Sequence, residues 1–395
     1  MSPLALVSVS DKKNIIPFCK ELVEQFNYKI LSSGGTAKHL IEAKIPVVKV
    51  ADFTNSPEIL GGRVKTLHPK IHGGILNKRN SKVHRKNLKD NKISEIDLVI
   101  VNFYPFEKTV LKTNDENKII ETIDIGGPAL VRSAAKNFRD VVVITSNYQL
   151  ENLAKEMSVN KGSTSLKFRK VLSQEAFNET AYYDSNISNY FNKITDNKNP
   201  EKITFSGKLI SKLRYGENPH QSGAIYSRNN LNELLKLNGK ELSYNNYNDI
   251  YYGLDILNTL PKGIGTIIIK HANPSGISID KKQLLSFNQA FNCDPVSAFG
   301  GIIICNYKVK YETAKEINKK FFEVVVAKNF DGKALSILKK KKNLRIIKYD
   351  QKYVSSEIVI NSLSKNFIFQ NADNDNLLKE NFKIVSKKKP HKKMF

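Results

Sequence analysis

At 395 residues the chain exceeds what one ordinary core organises, so two domains are expected. With 40% apolar and 26% charged residues, no apolar run long enough to span a bilayer and no basic n-region in MSPLALVSVSDKK, a soluble cytoplasmic protein without a membrane partner is expected. The net charge of +25 raises nucleic acid as a partner. However, the lysines are spread along the chain, and the densest runs, Lys339–Lys342 and Lys387–Lys393, carry no interleaved aromatics for base stacking, so none is expected.

Leu4 to Val9 reads as a buried strand, after which Ser10 or Asp11 caps a helix with the apolar stripe Ile15, Ile16, Phe18, Cys19 and Leu22. Tyr28 to Leu31 is a second strand, followed by Ser32-Ser33-Gly34-Gly35-Thr36, a helix from Ala37 and a short strand at Val47 to Val50. Strand and helix alternating at this spacing predict a parallel sheet. In such sheets ligands sit beyond the carboxyl ends of the strands, which places the Ser10–Lys12 and Ser33–Thr36 turns on one rim. Each turn offers hydroxyls and free N–H groups at a helix start, as a phosphate requires.

The stretch Leu60 to Gly74, LGGRVKTLHPKIHGG, carries Arg63, Lys65, His68, Lys70 and His72 with no acidic residue among them. Gly-Gly pairs close it at both ends and Pro69 is expected to break any helix in its middle. Such a loop suits an anionic substrate. Ile96 to Val101 predicts a further strand running into Asn102-Phe103-Tyr104-Pro105-Phe106, so that the Tyr104 phenol reaches the same rim. In Ile123-Asp124-Ile125-Gly126-Gly127-Pro128, Asp124 precedes a helix through Lys136-Asn137, as an ordinary cap or as a substrate ligand. A strand at Asp140 to Thr145 and two helices, the second from about Ser165 to Phe191, complete the region.

Beyond a polar linker at Thr195 to Lys202 come LRYGENPHQ from Leu213, the strand Gly265 to Ile269 leading into Lys270-His271-Ala272-Asn273-Pro274-Ser275-Gly276, and DPVSAFGG from Asp294. A histidine at the end of a buried strand, beside a lysine, suits proton transfer. The three cysteines, Cys19, Cys293 and Cys305, are too scattered for a metal cluster or a disulfide framework, and no metal is expected.

In this order, VSVSDK, SSGGTAKHL, LGGRVKTLHPKIHGGIL, NFYPF and IDIGGPALVRSAAKN resemble the IMP cyclohydrolase half of the bifunctional purine-biosynthesis enzyme family, and the later motifs resemble its AICAR formyltransferase half. The resemblance implies an α/β protein: a methylglyoxal-synthase-like parallel-sheet domain over 1–197, then an incomplete cytidine-deaminase-like formyltransferase domain over 198–395. It further implies that Ser10, Lys12, Ser33, Gly34, Gly35 and Thr36 hold a nucleotide, with Arg63 and Thr66 nearby, and that Lys65, Tyr104, Asp124 and Lys136 close the purine ring. For the second half it implies catalysis by Lys270 and His271, a ribotide site lined by Arg214, Tyr215, Asn238, Gly300 and Glu323, 10-formyltetrahydrofolate as formyl donor, and a homodimer. Family members continue past the point where this chain reaches Phe395, so formyl transfer is expected to be impaired while ring closure is retained. The alternative is a non-catalytic nucleotide- or phosphate-binding regulatory module.

Overall fold

The computed structural model describes residues 2–228, 234–349, 353, 358–373 and 387. Apart from Lys387, the run Lys387–Lys393 lies outside the described residues. The chain divides into two compact units, Met1–Ser206 and Gly207–Phe395.

The first unit runs β1 (Leu4–Val9), α1 (Ile15–Glu24), β2 (Lys29–Ser32), α2 (Gly34–Glu42), β3 (Val47–Lys49) and α3 (Val50–Thr54). It continues through α4 (Pro69–Leu76), α5 (Lys82–Asp90), β4 (Leu98–Asn102), α6 (Phe106–Val110), α7 (Glu116–Glu121), α8 (Gly126–Lys136), β5 (Val142–Ile144), α9 (Gln149–Val159) and α10 (Leu166–Ile194). All five strands are parallel, in the order β3-β2-β1-β4-β5. The order reverses between β1 and β4, since the chain leaves β1 toward β2 on one side and returns to β4 on the other. A crevice therefore opens at their carboxyl ends. Strands buried on both faces explain the unbroken apolar runs LALVSV and LVIV, whose side chains join those of α1, α4, α8 and α10 in one core.

Three local expectations change. Neither Ser10 nor Asp11 caps α1: Asn14 stands at its N-cap in a left-handed conformation, and Asp11 Oδ1 accepts the Lys13 N–H at 3.0 Å, closing a turn instead. The second helix starts at Gly34 rather than Ala37, because Gly34 (φ +51°) takes the backbone straight from β2 into the helix. Pro69 does not interrupt a helix but starts α4, where its missing N–H costs nothing and His68 Nδ1 accepts the Lys70 N–H at 3.1 Å.

The second unit contains β6 (Lys208–Leu213), β7 (Gly223–Ser227), β8 (Leu234–Asn238), α11 (Tyr244–Thr259), β9 (Ile264–Lys270), β10 (Asn273–Asp280), α12 (Gln283–Cys293) and β11 (Ile302–Val309). After them come α13 (Tyr311–Asn318), β12 (Val324–Phe330), α14 (Gly332–Lys339), β13 (Arg345–Tyr349), β14 (Ile358–Leu363) and β15 (Asn366–Asn371). Its six-stranded sheet, ordered β10-β9-β11-β12-β13-β8, is mixed: β11, β12 and β13 are parallel and the other pairings antiparallel. One face packs under α11, and the other carries α12, α13 and α14. No helix among the described residues is long and apolar enough to cross a membrane.

Candidate active site

At the β1–β4 crevice lies a cleft of about 610 Å³, within the range that holds small ligands. Its floor is the end of β1 with Ser8, Ser10 and Lys12, and its walls are the start of α2, the segment Gly61–Leu67, Asn102 at the end of β4 with Tyr104 beyond it, and Ile123–Gly127 at the start of α8.

The start of α2 is an open N-terminus. Ser33 occupies the N-cap without a side-chain capping bond, and the first N–H groups of a helix have no acceptor within it. Two ammonium groups flank it: a Cβ built on Gly34 would lie 3.1 Å from Lys65 Nζ, and one on Gly35 would lie 3.8 Å from Lys12 Nζ. Backbone donors, the helix dipole and two cations thus converge on one point, an arrangement suited to a phosphate. The Thr36 hydroxyl is not available to such a ligand. It accepts the Val9 N–H and donates to the Val9 carbonyl, both at 3.0 Å, so Thr36 contributes only its backbone.

Asn102, which the motifs left without a role, holds the facing turn. Its Oδ1 accepts the N–H groups of Ser10 (2.7 Å) and Asp11 (2.9 Å), and its Nδ2 donates to the Asp11 carbonyl (2.9 Å). A polar residue directly after an apolar strand run was the available signal.

Two cations of the 60–74 stretch, Arg63 and Lys65, are paired from outside it. Arg63 bonds Glu121, and Lys65 Nζ lies 3.5 Å from Glu58. The backbone of Leu60, Gly61 and Gly62 is left-handed throughout, and a Cβ on Gly62 would meet Lys65 Cε at 2.5 Å. Glycine there is what lets the lysine pass into the cleft. His68 and His72 do not line it. His68 caps α4, while His72 packs against Ser133 (Nδ1···Oγ 3.0 Å), where burial pulls its pKa down.

Asp124 faces the cradle from the other wall. Its Oδ1 accepts the Gly127 N–H at 2.8 Å, so from one residue before the N-cap Ile125 it satisfies a first-turn donor of α8 while lining the cleft. Burial pushes its pKa up, while the backbone N–H groups of Gly127 and Tyr104 act in the opposite direction. A Cβ on Gly127 would lie 2.5 Å from Asp124 Oδ2, so glycine at 127 is the condition for this carboxylate position. Thr66 Oγ1 would lie 3.0 Å from a Cβ on Gly126, and the Tyr104 ring is half exposed in the opening. Lys136 is not brought here. It lies exposed at the far end of α8, about 15 Å along the axis from the cleft-lining start of that helix.

In the second unit, strand register places several of the expected residues at one end of the sheet. Ile269, Ile302, Val324 and Arg345 are successive partners across β9, β11, β12 and β13, and Ile346 pairs with Asn238 of β8. Lys270 and His271, Gly300, Glu323 and Asn238 therefore share one rim. Lys270 Nζ donates to the Phe299 carbonyl at 3.0 Å. His271 and Ala272 both have positive φ (54° and 58°), the geometry of a two-residue hairpin turn that glycine usually supplies. Asp249 of α11 accepts the Ala272 N–H at 2.6 Å and holds that turn in place. Asn238 spends its Nδ2 on the Lys341 and Leu344 carbonyls, and Glu323 sits between Asn246 and Arg345, so both are engaged within the fold. Arg214 and Tyr215 follow β6 in a separate two-stranded sheet, the guanidinium 5.8 Å from the Tyr215 ring centre.

Comparison with known proteins matches both units, with the change from one family model to the other falling within the first unit. Residues 14–129 match the family model for an MGS-like domain, and residues 134–395 that of the AICARFT/IMPCHase bienzyme. The chain is 51% identical over 403 aligned positions to the bifunctional purine biosynthesis protein PurH of Prochlorococcus marinus strain MIT 9301, covering 98% of this chain and 77% of that protein. PurH of Prochlorococcus marinus subsp. pastoris is 50% identical (99% and 77% covered), and PurH of Leptospira biflexa strain Patoc 1 (Ames) is 47% identical (98% and 75% covered). The chain belongs to the AICARFT/IMPCHase bienzyme family, the enzymes of the last two steps of purine biosynthesis.

Proposed function

We propose that the cleft of the first unit closes formamido-imidazolecarboxamide ribotide to IMP with loss of water. The observation that carries this reading is the position of a half-buried carboxylate and a phenol across from a phosphate-type cradle, in one cleft of nucleotide size. The ribotide phosphate occupies the start of α2, held by the N–H groups of Gly34, Gly35 and Thr36 and by Lys12, with Ser10, Ser33, Arg63 and Thr66 around it. The carboxamide then points toward Asp124 and the formyl group toward Lys65 and Tyr104.

Attack of the carboxamide nitrogen on the formyl carbon forms the new C–N bond and moves the carbonyl electron pair onto oxygen. Lys65 and Tyr104 donate hydrogen bonds to that oxygen as charge develops. Asp124 orients the carboxamide N–H and accepts its proton; its raised pKa suits a group that must both take and return a proton. The former formyl oxygen takes up the proton returned by Asp124 and the proton of the formamido N–H, its C–O bond breaks as that nitrogen's electron pair forms the C=N bond, and it leaves as water. Holding the two reacting groups in contact supplies much of the rate, and no redox or group-carrying cofactor is needed for this step. Lys136 receives no role in this cleft.

In the second unit we assign formyl transfer from 10-formyltetrahydrofolate to the 5-amine of AICAR to Lys270 and His271, on the rim shared with Gly300 and Glu323. His271 takes the proton from the amine, and the constrained turn fixes its position. A homodimer is the proposed assembly and the cytosol the proposed compartment, both on the family relationship, and sedimentation of the purified chain tests the former.

The deciding experiment is ring closure by Lys65→Ala and Asp124→Ala, with folding checked by circular dichroism. Loss of turnover in both folded variants is expected. Near-normal turnover in both would remove the assignment.

A further inference from the structure

We infer that Tyr183, on α10, is a positioning residue for ring closure: its hydroxyl fixes the backbone of Asp124 while its ring braces the segment that carries Tyr104. The inference rests on the assignment of Asp124 and Tyr104 to that reaction.

Tyr183 lies 59 residues beyond Asp124 and is only 7% exposed. Its hydroxyl accepts the Asp124 N–H at 2.9 Å and donates to the Thr122 carbonyl at 3.0 Å, so one phenol clamps the chain on both sides of Ile123. The donating bond requires a protonated phenol, and burial secures this by pushing the Tyr183 pKa up to about 12. The ring centre is 5.0 Å from that of Phe103 and 6.3 Å from that of Phe106, the residues that bracket Tyr104 and Pro105. Tyr183, Phe106 and Ile119 form a small core of their own, and Phe103 packs against both this core and the main core of the sheet.

The chemistry of the residue type separates positioning from mere packing. Phenylalanine at 183 would fill the same space against Phe103 and Phe106. It would leave the Asp124 N–H and the Thr122 carbonyl without their partner, in the short connection between α7 and α8. The Asp124 carboxylate is therefore fixed at both ends, by Gly127 at its oxygen and by Tyr183 at its backbone. Displacement of a reacting group by about 1 Å is enough to cost on the order of a hundredfold in rate.

The test compares Tyr183→Phe, Asp124→Asn and the double variant in ring-closure kinetics, per folded molecule. Tyr183→Phe is expected to lower kcat tenfold or more with KM within twofold of wild type, because the phosphate cradle is untouched. The double variant is expected to be no slower than Asp124→Asn, since Tyr183 acts through Asp124. A Tyr183→Phe kcat within twofold of wild type, beside an inactive Asp124→Asn, would overturn the role of Tyr183 alone, as would losses that multiply in the double variant. Wild-type turnover by Asp124→Asn would instead overturn the reading of the site, and this inference with it. Hydrogen exchange on the wild-type protein provides a check that needs no variant to fold: the Asp124 amide should be protected at least a hundredfold, and exchange at the free-peptide rate refutes the clamp.

Discussion

Replacing Gly127 by alanine tests whether the position of the Asp124 carboxylate, rather than its mere presence, governs ring closure. Gly127 is the second residue of α8, and its φ is not left-handed, so alanine meets no backbone strain and brings up to about 1 kcal/mol of helix propensity. Its Cβ, however, would lie 2.5 Å from Asp124 Oδ2 and 2.9 Å from Cγ. The carboxylate has to retreat by about 1 Å, the scale of displacement that costs about a hundredfold in rate. That movement gives up the 2.8 Å bond from the Gly127 N–H, a charge-assisted bond worth about 1.5–3 kcal/mol. Set against the gain in propensity, the net destabilisation is about 0.5–2 kcal/mol, small enough to leave a folded protein. The expected outcome is a well-folded variant with ring closure, followed by purine absorbance, reduced about a hundredfold. Turnover within threefold of wild type, beside an inactive Asp124→Ala, would refute the claim that this contact sets the geometry.

Asp124→Asn is expected to raise thermal stability at neutral pH while abolishing turnover. Burial raises the folded-state pKa of Asp124 above its unfolded value, so this group's contribution is most favourable below the unfolded pKa and is lost as pH rises through the folded pKa. The gain in melting temperature should therefore shrink as the pH is lowered toward 4, and an advantage that does not depend on pH would contradict this. Asn102→Ala frees the Ser10–Asp11 turn and is expected to raise KM for the ribotide about tenfold with a smaller change in kcat; an unchanged KM would dissociate that turn from binding. Lys12→Ala is expected to weaken competitive inhibition by inorganic phosphate as well as substrate binding, which a titration of phosphate against initial rate reads directly. In the second unit, Asp249→Ala removes the acceptor of the Ala272 N–H and is expected to destabilise that unit by about 1–3 kcal/mol in a urea melt.

The parallel sheet was legible because strands buried on both faces leave unbroken apolar runs, as in Leu4–Val9 and Leu98–Val101. The shared rim was legible for a topological reason: the Ser10–Lys12 and Ser33–Thr36 turns both follow parallel strands. Side-chain partners across the cleft were not. The motif LGGRVKTLHPKIHGG contains no acid, yet Glu58 and Glu121 pair with Lys65 and Arg63, and no spacing rule connects position 63 with position 121. The histidines of that stretch were read together with its cations as part of a loop suited to an anionic substrate, but the turn into α4 directs one to a cap and the other into packing. Thr36 shows the same limit on a smaller scale, since the reciprocal bonding of its hydroxyl to Val9 depends on the approach of α2 to β1. Lys136 belongs to the same helix as Gly126, and a linear motif does not convey that eleven helical residues carry it to the opposite end of the sheet.

The small aromatic core beneath the cleft has a consequence for how this half of the protein comes to life. The five strands, and each residue that lines the opening, lie before residue 145, whereas the phenol that clamps Asp124 arrives with position 183. A nascent chain emerging from the ribosome thus acquires its scaffold first and its ordered acid last. A fragment ending after α9 accordingly keeps all five strands but lacks α10 and its share of the core, and is expected to turn over slowly until the missing helix is supplied.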